Sequence, residues 1–159
     1  MDISIIANTL NRLIKSGKIK SFGVSNFTAN QMDMFKGKVE ILYNQINLSL
    51  THLDHMFDGT LEYMQANDIL PMAYSPLGSY FNEENGKIKK VVDKLKNKYS
   101  CSDYQILISW LLKHPSKVYP VIGTTKSDRI KSTLESLKIE IDLIDWFELL
   151  EASVGKRVP

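Results

Sequence analysis

Residues 69–79 read Ile69-Leu70-Pro71-Met72-Ala73-Tyr74-Ser75-Pro76-Leu77-Gly78-Ser79. A short apolar run stops in a cluster of serine, proline and glycine, the pattern of a buried strand that ends in a loop. Pro71 has no N–H to give a neighbouring strand. It must therefore lie at the start of the strand, or where its missing donor does no harm. The same design recurs three times along the chain. Ile19–Val24 runs into Ser25-Asn26, Val39–Ile46 runs into Gln45-Ile46-Asn47, and Val118–Ile122 runs into Gly123-Thr124-Thr125-Lys126.

Helical patterns fill the intervals. Ile3, Ile6, Ala7, Leu10, Leu13 and Ile14 recur at helical spacing over 3–16, with Gly17 placed to end the helix. Thr28 and Gln31 have the spacing of a capping box, as do Ser102 and Gln105. The first opens a helix that carries Met32 and Phe35 inward. The second opens one that buries Ile106, Leu107, Trp110 and Leu111 before Pro115. Helices are also predicted over about 57–67 and 86–98, then through Ile130, Leu134 and Leu137, and from Asp142 through Trp146 and Leu149.

One helix followed by four strand–helix units implies an α/β fold with a parallel sheet and right-handed crossovers. Small residues such as Gly23 and Ala73 suit the crowded interior of a barrel. A complete eight-unit barrel needs about 250 residues, and this chain has 159. An open doubly wound sheet competes, and periodicity does not separate the two.

Bulk composition narrows the function classes. With 43% hydrophobic and 24% charged residues the chain reads as one folded domain over 1–159, not a disordered one. Net charge is +2, and the lysines at 87, 89, 90, 94, 96 and 98 are broken by Val91, Val92, Asp93 and Leu95. That spacing is a solvated helix face, so no nucleic-acid partner is expected. No apolar run is long enough for a membrane span and no signal peptide opens the chain. The single cysteine, Cys101, excludes an internal disulfide and fits a cytoplasmic location. His52 and His55 lack a third ligand nearby, so no metal site is expected.

In parallel α/β folds, chemistry gathers at the C-terminal strand ends. Here those ends carry amides and hydroxyls able to hold a carboxamide, a tyrosine able to stack on a flat heterocycle, and small loop residues able to approach a pyrophosphate. Lys126 and Arg129 flank a helix start, a setting suited to a phosphate monoester. The residues alone thus point to a phosphorylated nucleotide.

The segments also carry a family resemblance. Gly17-Lys18-Ile19-Lys20-Ser21-Phe22-Gly23-Val24-Ser25-Asn26-Phe27 resembles the fifth-strand signature of the aldo-keto reductases. Tyr43-Asn44-Gln45-Ile46 resembles their sixth strand, Met72-Ala73-Tyr74-Ser75-Pro76-Leu77-Gly78 their seventh, and Pro120 to Arg129 their eighth with its phosphate loop. Asp58-Gly59-Thr60-Leu61-Glu62-Tyr63 resembles the bacterial oxidoreductase branch.

The resemblance implies the second half of a parallel (β/α)8 TIM-barrel, strands five to eight with their helices. It implies NADP(H) as cofactor. Ser25, Asn26 and Gln45 would hold the nicotinamide carboxamide and Tyr74 would stack on its ring. Ser75, Leu77, Gly78 and Ser79 would embrace the pyrophosphate, with Gly123 in the last loop, and Thr124, Thr125, Lys126 and Arg129 would meet the 2′-phosphate. The last loop departs from the common pattern. Ile122-Gly123-Thr124 stands where many members have Pro-Lys-Ser, and Ser132-Thr133 where Glu-Asn is usual.

The family reduces carbonyls to alcohols by hydride transfer, with catalytic Asp, Tyr, Lys and commonly His on its first four βα units. None of the seven tyrosines here stands in that context, so no catalytic residue is expected in this chain, and alone it is expected to be inactive and truncated. Half a barrel would leave about six inward side chains uncovered, a forfeit on the order of 10–15 kcal/mol. Pairing with an N-terminal half, or self-association, is therefore expected, with a small carbonyl substrate only when the missing half is present. The alternative is a non-catalytic nucleotide-binding or self-assembling half-barrel module.

Overall fold

A computed structural model describes residues 2–82 and 85–158. Its sheet has four parallel strands, β1 (Gly23–Ser25), β2 (Tyr43–Asn47), β3 (Leu70–Tyr74) and β4 (Tyr119–Pro120), in the spatial order β1-β2-β3-β4. Sequential order decides between the two architectures left open by periodicity. Right-handed crossovers between successive neighbours put every helix on one face, whereas a doubly wound sheet reverses its order and is covered on both.

Burial along the central strands agrees. Asn44 and Ile46 of β2 and Pro71 and Ala73 of β3 are buried beneath helices. Their neighbours Tyr43, Gln45, Asn47, Leu70, Met72 and Tyr74 are only partly covered. Strand side chains alternate faces, so these six line one open face, the face that points inward in a barrel. Gly23 lies on that face, opposite Tyr43. Ala73, expected to point inward with it, does not: it is fully buried on the helix-covered side, where helices pack close against the sheet.

Pro71 sits where the ladder loses nothing. Leu70 N–H bonds to Leu42 O at 2.9 Å on the β2 side, so Pro71 faces the other edge. There β4 begins only opposite Met72. The edge strands are shorter than their apolar runs, because a strand is defined by its ladder and an edge has one neighbour. Ile19–Phe22 leads into β1, with Phe22 O accepting from Leu42 N–H at 2.8 Å, and β4 adds one further bond, Val121 N–H to Ala73 O at 2.8 Å.

The helices follow their punctuation. α1 (Ile3–Lys15) is capped by the Asp2 carboxylate, which accepts from Ser4 N–H at 2.9 Å, and Gly17 at φ +68° ends it. Both capping boxes form, opening α2 (Ala29–Asp33) and, later, α6 (Asp103–Leu112). The helix expected over about 57–67 forms as α4 (Thr60–Ala66), and a separate short helix, α3 (Asp54–Phe57), precedes it. Gly59 at φ +84° separates them, and the Asp58 carboxylate accepts from Thr60 N–H at 2.8 Å.

α5 (Gly86–Tyr99) turns its lysines to solvent and to acids. Lys94 pairs with Glu148, and Lys98 bonds Asp142 at 2.7 Å and Asp145 at 2.6 Å. α6 is buried from Gln105 to Leu111 and carries the core. α7 (Ser127–Glu135) and α8 (Leu143–Val154) complete the chain. Trp110 of α6 and Trp146 of α8 stack at 5.3 Å, and each indole N–H donates to the other's carbonyl. Ile130 and Leu134 of α7, and Leu137 just beyond it, stay at the surface. No described helix is long and apolar enough to cross a membrane.

Candidate functional site

The four strand ends open on one rim. At the first, Ser25 Oγ donates to Gln45 O at 3.0 Å and Asn26 N–H donates to the same oxygen at 2.8 Å. Asn26 takes a left-handed φ of +54°, which turns the chain out of the strand. Asn44, fully buried, holds the turn from behind. Its Nδ2 donates to Phe27 O at 2.8 Å and its Oδ1 accepts from Phe27 N–H at 3.3 Å. The same motif thus gives one side chain to the scaffold and the next, Gln45, to the open face.

Asn26 Nδ2 donates to the Tyr74 hydroxyl at 3.2 Å. That bond reaches across β2, and with the bonds of Ser25 and Asn26 to Gln45 O it brings Ser25, Asn26, Gln45 and Tyr74 together. Among the described residues the Gln45 carboxamide makes no hydrogen bond. The Asn47 Oδ1, two residues on and on the same face, is buried without a partner.

The loop after β3 is wound tightly. Ser75 and Gly78 have φ of +49° and +52°, and Gly78 N–H donates to Ser75 O at 2.8 Å. A Cβ on Gly78 would strike the hydroxyls of Ser49 and Thr51. Those hydroxyls are 3.2 Å apart, and Thr51 Oγ1 accepts from Ser79 N–H at 2.9 Å. Tyr80 anchors the far end of the loop in the core. It is 4% exposed, and burial, with the Asp103 and Asp93 charges, pushes its phenol up to about 12.

After β4, Thr124 Oγ1 accepts from Lys126 N–H at 3.2 Å just before α7. No side chain caps that helix, so its first N–H groups point out unpaired, the usual setting for an anion. A recess of about 270 Å³ joins the two loops, lined by Ser75, Leu77, Gly78, Gly123, Thr124 and Arg129 among others. Thr125 and Lys126, expected beside them, are exposed and do not line it. Ser79 lines a neighbouring recess with Asn47 and Thr51.

Sequence reasoning missed Thr51 and Tyr104, and it named Asn47 at a strand end without giving it a role. The period of a strand puts Asn47, two beyond Gln45, on the same face. Nothing local marks Thr51, whose role depends on a loop 28 residues away. Tyr104 stands in the first turn of a capped helix, where nothing local marks it, and it lines the recess between the loops. His52 and His55 face carboxylates, Asp54 at 3.7 Å and Asp58 at 3.1 Å, and the described residues hold no cluster fit for a metal ion.

Residues 1–152 match the profile of the aldo/keto reductase family. The chain is similar to a 6-dehydroglucose reductase of Agrobacterium fabrum, 33% identical over 162 residues that cover 99% of this chain and 54% of that protein. It is 34% identical over 127 residues to an NADPH-dependent alpha-keto amide reductase of Saccharomyces cerevisiae, covering 76% of this chain and 40% of that one. In fold it resembles the thermostable aldo-keto reductase Tm1743, solved with the inhibitor epalrestat. The TM-score is 0.87 at 23% identity, over 96% of this chain and 55% of that one. The chain spans about half the length of the relatives it matches.

Proposed function

The chain belongs to the aldo/keto reductase family, and from that premise we propose that it is the NADP(H)-binding half of an enzyme that reduces a small carbonyl compound to an alcohol. The observation that carries the reading is the Asn26–Tyr74 hydrogen bond, which sets an amide and an aromatic ring side by side next to the unpaired Gln45 carboxamide. The residues present fit a nicotinamide dinucleotide: donors and acceptors at one end, small loop residues in the middle, and a cationic helix start at the other. The buried, unpartnered Asn47 Oδ1 adds an acceptor at the same rim.

In this reading Ser25, Asn26 and Gln45 orient the nicotinamide carboxamide while Tyr74 supports the ring. Ser75, Leu77, Gly78 and Ser79, with Gly123, enclose the pyrophosphate. Thr124, Thr125, Lys126 and Arg129 take the 2′-phosphate, and the Arg129 fork favours NADPH over NADH. When bound, the cofactor supplies the hydride. The proton donor, by the family resemblance, comes from the first four βα units, outside this sequence. The open sheet face supports pairing with such a half, and its uncovered strand edges leave self-association as the competing arrangement.

The test is NADPH titration of the purified chain, followed by quenching of its tryptophan and tyrosine fluorescence, with Arg129→Ala alongside. Micromolar NADPH binding, weakened in Arg129→Ala by about tenfold or more beyond any loss for NADH, is the expected result. Absence of binding at millimolar NADPH, or equal loss for both cofactors, would overturn it. Sedimentation velocity on the same sample distinguishes a self-paired chain from one that waits for a different half.

A further inference from the structure

Two recesses share three side chains. The first lies between the phosphate-facing loops. The second, of about 590 Å³, is lined by Leu77, Phe81, Tyr104, Arg129 and Ser132. Leu77, Tyr104 and Arg129 border both. A ligand whose diphosphate sits at the loops therefore continues past Tyr104 into the second space. Two aromatic rings, an aliphatic side chain and a planar guanidinium suit a flat heterocycle and offer little to a further phosphate.

We propose that Tyr104 is the platform on which the purine of the dinucleotide stacks, so that this chain selects the base by ring area and not by its hydrogen-bonding edge; the proposal rests on the cofactor reading above. Tyr104 stands in the first turn of α6, fixed by the Ser102 capping box. Its hydroxyl is 2.6 Å from Thr133 Oγ1, and Thr133 in turn donates to Arg129 O at 2.8 Å. The phenol must then be the donor. This relay ties the rim of the ring to α7 and leaves the ring as part of the recess wall.

The groups that would read the edge of a base are already engaged. Thr133 is used as donor and acceptor. Gln105 Nε2 bonds both Ser132 O at 3.2 Å and Glu135 Oε2 at 3.1 Å, which engages the Glu135 carboxylate. Among the polar side chains of the described residues lining the recess, only the Ser132 hydroxyl and the Arg129 guanidinium make no hydrogen bond, and the cofactor reading gives the guanidinium to the 2′-phosphate. Phe81 supplies a second wall. It is 59% exposed, so it has no role in the core, yet it is held edge-on to the buried Tyr80 at 5.0 Å.

Calorimetric titrations with NADPH, 2′,5′-ADP, reduced nicotinamide mononucleotide and the hypoxanthine analogue of NADPH test this on the wild-type chain and on Tyr104→Ala, Tyr104→Phe and Phe81→Ala. Tyr104→Ala is expected to weaken NADPH and 2′,5′-ADP by at least about fivefold and to leave the mononucleotide unchanged. Tyr104→Phe, which keeps the ring, and the hypoxanthine analogue should each stay within about threefold of the reference. Phe81→Ala, at an exposed site that leaves folding intact, should weaken both adenine ligands. NADPH binding equally well to wild type and Tyr104→Ala overturns the stacking proposal alone, as does an analogue that binds about tenfold or more weakly. A wild-type chain that binds none of the four ligands overturns the cofactor reading and this proposal with it.

Discussion

Asn44 and Gln45 are adjacent in the chain and opposite in the sheet, and the structure assigns them separate work. Asn44 is fully buried, and both ends of its carboxamide bond the backbone of Phe27, at 2.8 and 3.3 Å. Replacing it with alanine removes both bonds and leaves an N–H and a C=O without partners. Each such group costs about 1–3 kcal/mol when buried. Phe27 is only partly buried, so water can reach part of the damage. The expected loss for Asn44→Ala is therefore about 2–4 kcal/mol, a large share of the roughly 5–15 kcal/mol that holds a domain together.

Gln45→Ala removes a half-covered side chain that bonds nothing among the described residues, so its expected cost is about 0.5 kcal/mol. Its effect should fall on NADPH affinity. Urea unfolding at constant m-value measures the first quantity, and the fluorescence titration measures the second. Amide exchange at residues 25–28 should accelerate in Asn44→Ala and not in Gln45→Ala. An Asn44→Ala loss under about 1 kcal/mol, or an equal loss for Gln45→Ala, would refute the assignment.

Three further outcomes rest on named groups. Burial lowers the His114 pKa below 6.5, and its Nδ1 accepts from Ser116 N–H at 3.2 Å, so folding favours the neutral ring. The unfolded chain takes up the proton first; stability should be full above pH 6.5 and fall as pH drops below it, and His114→Gln should flatten that limb of a stability-against-pH curve. Burial raises the Asp145 carboxyl, but bonds of 2.6 Å from Lys98 and Tyr99 outweigh it and hold the pKa below 3.8. Its contribution is then present above pH 3.8 and lost below, and Asp145→Asn should remove this acid limb from urea midpoints measured across pH. Gly78→Ala must set a Cβ against the Ser49 and Thr51 hydroxyls at a left-handed φ, so it should weaken NADPH in the titration well beyond any change in the unfolding midpoint.

What the sequence made legible was whatever a local pattern determines. The capping boxes at Thr28 and Ser102, the stop at Gly17 and the βα alternation are each decided within a few residues, and each formed. The choice between barrel and doubly wound sheet depends on which strands are neighbours, so it needed the topology. Ala73 shows the same limit: small size suggests a crowded interior but does not say which side is crowded. Ser25, Asn26, Gln45 and Tyr74 could be named because strand ends converge in any parallel sheet. Thr51 and Tyr104 could not, because their places are set by contacts 28 and 29 residues distant.

Those long-range contacts bear on how the rim and the open face relate. Four braces shape the rim: Ser25 to Gln45, Asn26 to Tyr74, Phe27 to Asn44, and Ser79 to Thr51. At about 0.5–1.5 kcal/mol each, such bonds hold a geometry without needing the inner face to be covered. The inner face is different, since Tyr43, Leu70 and Met72 gain from burial only when something packs over them. Cofactor affinity and barrel completion are thus supported by different sets of contacts. A substitution such as Met72→Glu on the open face should disturb pairing without moving the rim. If it instead abolished NADPH binding in a chain that still unfolds cooperatively, the rim would depend on the cover after all, and the separation argued from these four bonds would fail.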